Sequence, residues 1–134
     1  MSLPQKLFRY IFWTSYLTVL ITAFLPVTGS LDKIKLGPGS FQIRLDHLLH
    51  LTAYFLICMY YLIGQCKGLT LFNKDSLRKF IILMLLLGTV TEIIQLWIPS
   101  RAFNVFDLLA NVSGLLIGLV VIRVAEGKSA VGSR

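Results

Sequence analysis

Four long apolar runs alternate with polar connections along the chain. The first, Tyr10 to Val27, holds 18 residues without a charge. The second starts at Asp46 and carries no Asp, Glu, Lys or Arg from His47 to Cys66. The third runs from Leu77 to Ile98 and is stopped by Pro99, and the fourth runs from Asn104, a side chain suited to capping a helix, to Arg123. About 20 residues of helix cross a bilayer core. The pattern therefore predicts an all-α fold, an integral membrane bundle of four transmembrane helices over residues of about 8–27, 46–65, 77–98 and 104–123, forming a single domain across residues 1–134.

The connections differ in kind. Thr28 to Leu45 contains the turn Gly37-Pro38-Gly39, and its apolar members leave two readings open, a cap on the membrane face or a plain exposed loop. Pro99 to Phe103 is a tight turn, and the small, polar tail from Glu126 to Arg134 is expected to fray. An internal repeat of the transporter kind is absent, because Glu92 and Gln95 have no counterpart in the first run.

Composition narrows the class. Of 134 residues, 56% are hydrophobic and 14% charged, and four spans use roughly 80 positions, leaving no room for a soluble catalytic domain. The net charge of +7 would suggest nucleic acid in a soluble protein, but no basic stripe is interleaved with stacking aromatics, so no nucleic-acid partner is expected. The basic residues sit in the connections instead. Nine (Lys6, Arg9, Lys67, Lys74, Arg78, Lys79, Arg123, Lys128 and Arg134) fall on one side of the four-span topology, and four (Lys33, Lys35, Arg44 and Arg101) on the other. This asymmetry predicts both termini in the cytoplasm of a multi-pass protein of the cytoplasmic (inner) membrane. Lys6 and Arg9 resemble the start of a signal peptide, but the apolar run exceeds the usual length of about 7–15 residues and lacks a small-residue cleavage site after Pro26, so a retained span is expected. Cys58 and Cys66 are about 12 Å apart along one helix, too far for a disulfide.

Polar residues inside the spans are gathered rather than scattered. In this topology His50 lies about 6 Å, Glu92 about 10 Å, Gln95 about 6 Å, Asp107 about 5 Å and Asn111 about 10 Å below the outer ends of their helices. Asp46, His50 and Tyr54 step by four, Glu92 and Gln95 by three, and Asp107, Asn111, Gly114 and Gly118 by four, three and four, so each set follows one helix face. A charged group at mid-bilayer costs about 2.5–3.5 kcal/mol on insertion scales, which turns these faces inward. The candidate polar pocket is thus Asp46, His50, Glu92, Gln95, Arg101, Asp107 and Asn111, with Arg101 as the cation for Asp107 or Glu92. His47 reads as an interfacial residue, and Gly114 and Gly118 read as a helix-packing pair. Two histidines without spaced acids on one helix make a poor zinc site, so no metal and no cofactor are expected.

The order Asp46-His47-x-x-His50-x-x-x-Tyr54, Glu92-x-x-Gln95 and Arg101-x5-Asp107-x-x-x-Asn111-x-x-Gly114-x-x-x-Gly118 resembles the VanZ-like family of small bacterial membrane proteins. The resemblance covers most of residues 46 to 118. It departs at His47, where family members often carry a lysine. It implies a multi-helix integral membrane protein, and its founding member is associated with low-level tolerance of the glycopeptide teicoplanin. It implies no settled reaction.

Three functions suit these residues. An outer-leaflet pocket binds or acts on a membrane lipid or lipid-linked envelope component; or Glu92 or Asp107, with His50, serves as the base of a membrane-embedded enzyme; or the polar groups only hold helices together. No catalytic residue is singled out, and self-association is left open.

Overall fold

The structure, a computed structural model, describes residues 2–22, 35–36, 43–97 and 105–131, with side chains given for these except at 35–36, 43–44, 46 and 128–131. Four helices, α1 (Leu3–Thr22), α2 (Leu45–Cys66), α3 (Ser76–Gln95) and α4 (Val105–Val131), make up nearly all of it. Between α1 and α2, β1 (Lys35–Leu36) pairs antiparallel with β2 (Ile43–Arg44), placing Lys35 opposite Arg44 and Leu36 opposite Ile43. This short strand pair lies within the stretch read from sequence as a loop. Two residues per strand are too few to show a period-two pattern.

Local chemistry sets most helix ends. Pro4 stands in the first turn of α1, where a missing N–H leaves no intrahelical bond unmade. The helix begins earlier than the uncharged run and includes Lys6 and Arg9. α2 closes on Gly68, whose φ of 68° lies in the left-handed region; Gly68 N–H bonds the Gln65 carbonyl at 3.0 Å and Leu69 N–H the Gly64 carbonyl at 2.8 Å. That pair of bonds is a Schellman ending, which glycine adopts without a Cβ penalty. α3 stops at Gln95, before the expected Ile98; Leu96 and Trp97 donate to the Ile93 and Ile94 carbonyls in a tightened turn. α4 corrects the expectation of a frayed tail by continuing to Val131. Alanines favour helix there, and Arg123 and Glu126, one turn apart, lie 3.5 Å from each other.

Contacts between helices fix their directions. Phe12 meets Phe80 and Tyr16 donates to the Leu83 carbonyl, so α1 and α3 run parallel. Phe80 stacks on Tyr61, whereas Gly88 faces Tyr54, so α3 runs against α2. Gly114 faces Leu51 and Gly118 faces Cys58, so α2 and α4 run parallel, and theirs is the closest pairing in the bundle. A Cβ at Gly114 would collide with the Leu51 carbonyl, and one at Gly118 with the Cys58 side chain. The start of α1, the 67–75 connection and the ends of α2 and α4 consequently share one end of the bundle, while the starts of α2 and α4 and the end of α3 share the other.

The interior is graded along the bundle. Toward the 67–75 end it is apolar and aromatic, with Phe8, Phe12, Tyr61, Phe80, Met84 and Ile122 buried. Toward the other end it contains Glu92, Gln95, Asp107 and Asn111, each at most 4% exposed. The outside is the reverse, with Leu17 51%, Leu56 58%, Leu86 52% and Val120 63% exposed. Polar groups within and large apolar groups without is the arrangement demanded by a hydrocarbon surround. Among the described residues, two helices are long and apolar enough to cross a membrane, over His47–Cys66 and Val105–Gly127.

Candidate functional site

The first turns of α2 and α4 meet side by side because Gly114 and Gly118, further along α4, admit the backbone of α2. That approach brings His47 and His50 of α2 against Asp107 and Asn111 of α4. His47 Nε2 lies 3.1 Å from Asp107 Oδ1, an ion pair when the imidazole is protonated, with the side chains 20% and 6% exposed. One turn deeper, His50 Nδ1 donates to Asn111 Oδ1 at 3.0 Å. An amide oxygen only accepts, so this contact selects the Nδ1–H form of His50. The His47 ring also lies against Phe106, with centroids 6.0 Å apart. Asp107 sits in the first turn of α4, where the unpaired backbone N–H groups favour a negative charge.

The third wall is the last part of α3. Glu92 is 1% exposed, inside α3. Thr91 is buried beside the Tyr54 hydroxyl, and its own hydroxyl donates to the Gly88 carbonyl at 3.0 Å. A Cβ at Gly88 would stand 3.3 Å from the Tyr54 oxygen and 3.7 Å from Asn111 Cβ, so the missing side chain lets the two come together. Tyr54, Gly88, Asn111 and neighbouring apolar groups enclose a cavity of about 30 Å³. That is room for a water molecule, not for a head group.

The structure thus brings His50, Glu92, Asp107 and Asn111 to one end of one bundle, and buries Gln95 at the close of α3. Asp46 stands in the first turn of α2, but its side chain, and the whole of Arg101, lie outside the described residues. The expected Arg101 pairing is therefore not described, and His47 is the basic group seen on Asp107. Sequence reasoning placed His47 at the interface and left it out of the pocket. The signal was present, since His47, His50 and Tyr54 step by three and four and so share a helix face. Thr91 and Gly88 carried no comparable mark, because neither is charged and their importance arises from what α2 and α4 place beside them.

The sequence model of the VanZ/LLP1 family matches residues 5–126, nearly the whole chain. The chain belongs to the VanZ/LLP1 family. Comparison with curated proteins and with solved structures finds no match. Membership joins the two membrane-length helices and the inverted polarity of the bundle in describing a membrane protein. At position 47 the chain carries a histidine, a residue able to carry positive charge, beside the Asp107 carboxylate.

Proposed function

We propose that this VanZ/LLP1 protein crosses the bacterial cytoplasmic membrane four times with both termini inside, and that its histidine-bearing end binds the polar head of a lipid or lipid-linked envelope component in the outer leaflet. The observation that carries the reading is the pair of contacts His47–Asp107 and His50–Asn111, at the same end as buried Glu92 in a bundle whose outside is apolar. Simple helix adhesion in membranes is obtained from neutral polar groups at about 0.6–2 kcal/mol each, so two buried carboxylates are a costly choice for packing alone. Half-buried His47 stands where a head group would reach it. Support for the outer crossings comes from α1 and α3, which expose Leu17, Ile21, Leu86 and Ile93 just as the two longer apolar helices expose theirs.

Glycopeptide tolerance, on this reading, is indirect. The connections of the four-span topology are short against the surface of a large polar antibiotic, so any protection follows from what the site does to a membrane or wall component. Wild type, Glu92→Gln and Asp107→Asn are to be expressed at matched membrane levels in a teicoplanin-sensitive bacterium. The expected result is protection by wild type and its loss in both variants. Protection undiminished in both variants, or tight direct binding of teicoplanin to the purified protein, would sink the proposal.

A second reading has its own observation. A carboxylate against an imidazole, as in Asp107 and His47, is the arrangement that orients a general base. Under that reading purified wild type would convert a lipid-linked phosphate ester catalytically, and Asp107→Asn would bind it without turnover.

A further inference from the structure

The end of the bundle opposite the histidines carries a separate concave surface. An open cleft of about 480 Å³ is lined by Arg9, Leu71, Phe72, Asn73, Lys74 and Lys79. Its three cations come from three segments, namely α1, the 67–75 connection and the first turn of α3. The orientation of a membrane protein requires only that basic residues lie on one side; it does not require them to converge.

The cleft is held in shape by hydrogen bonds across segments. Arg9 donates from Nε to the Thr70 carbonyl at 3.1 Å and from Nη2 to Asn73 Oδ1 at 2.9 Å. Gln5 holds Thr70 from both sides, donating to its carbonyl and accepting its N–H at 3.1 Å. These bonds fix the guanidinium plane and leave its Nη1 group out of the contacts. Lys79 Nζ sits 5.9 Å from the centre of the Phe72 ring, which holds a second charge near the cleft. Buried Leu71 and half-buried Phe72 supply an apolar floor. Asp75, the one acid of the connection, is not among the lining residues.

We infer that this cleft binds the phosphate of an anionic glycerophospholipid in the leaflet at the basic end of the bundle. The cleft lies level with the last residues of α2 and the first of α3, where helices emerge from hydrocarbon into the head-group layer. A fixed guanidinium edge and two ammonium groups match a phosphodiester, and Leu71 with Phe72 matches the glycerol and first methylenes beneath it. The volume falls in the range of small-molecule sites, about 300–1,000 Å³. The inference needs the bundle to lie in a membrane and does not depend on the activity of the histidine end.

The test separates this cleft from general attraction by Lys6, Lys67 and Arg78, which are exposed at the same end. Full-length protein in neutral detergent is titrated with phosphatidylglycerol, and the one-to-one complex is followed by native mass spectrometry. Lys74→Gln with Lys79→Gln, which breaks none of the hydrogen bonds shaping the cleft, is compared with Lys6→Gln with Lys67→Gln, an equal change in charge. The cleft pair is expected to weaken retention by about tenfold and the control pair by less than about twofold. Arg9→Gln serves as a further variant, with folding checked by its melting transition. Equal weakening by both pairs would show diffuse attraction and overturn the site. Glycerol 3-phosphate binding as tightly as phosphatidylglycerol would overturn the lipid assignment, and its failure to compete at millimolar concentration supports it.

Discussion

Asp107 and His47 are a pair in which neither partner is easily spared. The carboxylate is 6% exposed, and the imidazole 3.1 Å away offsets part of the cost of withdrawing it from water. Removing either member deletes the same contact, so the loss in the double variant should fall short of the sum of the two single losses. His47→Ala and Asp107→Ala, singly and together, should therefore give a double-mutant cycle with coupling of at least about 0.5 kcal/mol in detergent unfolding. Additive losses would mean that the contact adds nothing to either residue's placement. His47→Lys is the informative substitution, since it keeps a side chain able to carry positive charge beside Asp107. It should keep more stability than His47→Ala. His47 also shows what sequence reasoning passed over: a residue beside Asp46 looks interfacial until the partner helix is known to approach from the His47 face.

At the scale of the helix, the seam between α2 and α4 is made by absence of side chains. Gly114 and Gly118 lie one turn apart against Leu51 and Cys58, and the parallel run of the two helices then carries His47 to Asp107 and His50 to Asn111. The glycine spacing and the polar steps were both legible from sequence because they repeat at helical intervals. The short hairpin was not, since its strands are two residues long, and the continuation of α4 beyond Arg123 was hidden by small polar residues that suit a helix or a loose tail equally. Gly114→Ala should separate α2 from α4 and lower thermal stability by several degrees or prevent folding, because its Cβ alone meets the Leu51 backbone, an overpacking penalty of about 1–3 kcal/mol or more. Gly127, which has no atom within 4 Å of where a Cβ would stand, is the matched control. Gly127→Ala should be neutral or raise stability by up to about 1 kcal/mol through helix propensity alone. Equal tolerance at both positions would show that the α2–α4 approach does not limit stability.

The whole molecule has two unlike ends. Lys6, Lys67, Arg78 and Lys79 stand exposed at one, while the buried acids, amides and histidines occupy the other. An insertion machinery that retains Lys and Arg in the cytoplasm would orient such a bundle with the 67–75 connection inside and the histidines in the outer leaflet. The chain contains its own reporter of that orientation. Cys66 is exposed at the basic end, whereas Cys58 is buried against Gly118 and shielded from reagents. In intact cells a membrane-impermeant maleimide should leave the wild-type protein unmodified, and permeabilised cells should show one label that Cys66→Ser removes. Ser40→Cys in the Cys66→Ser background should label without permeabilisation, because the connection between α1 and α2 faces outward in the four-span topology. Labelling of wild-type Cys66 from outside would invert the bundle. The histidine end would then face the inner leaflet, out of reach of any component assembled on the outer surface, and the basic cleft would meet outer-leaflet lipids instead.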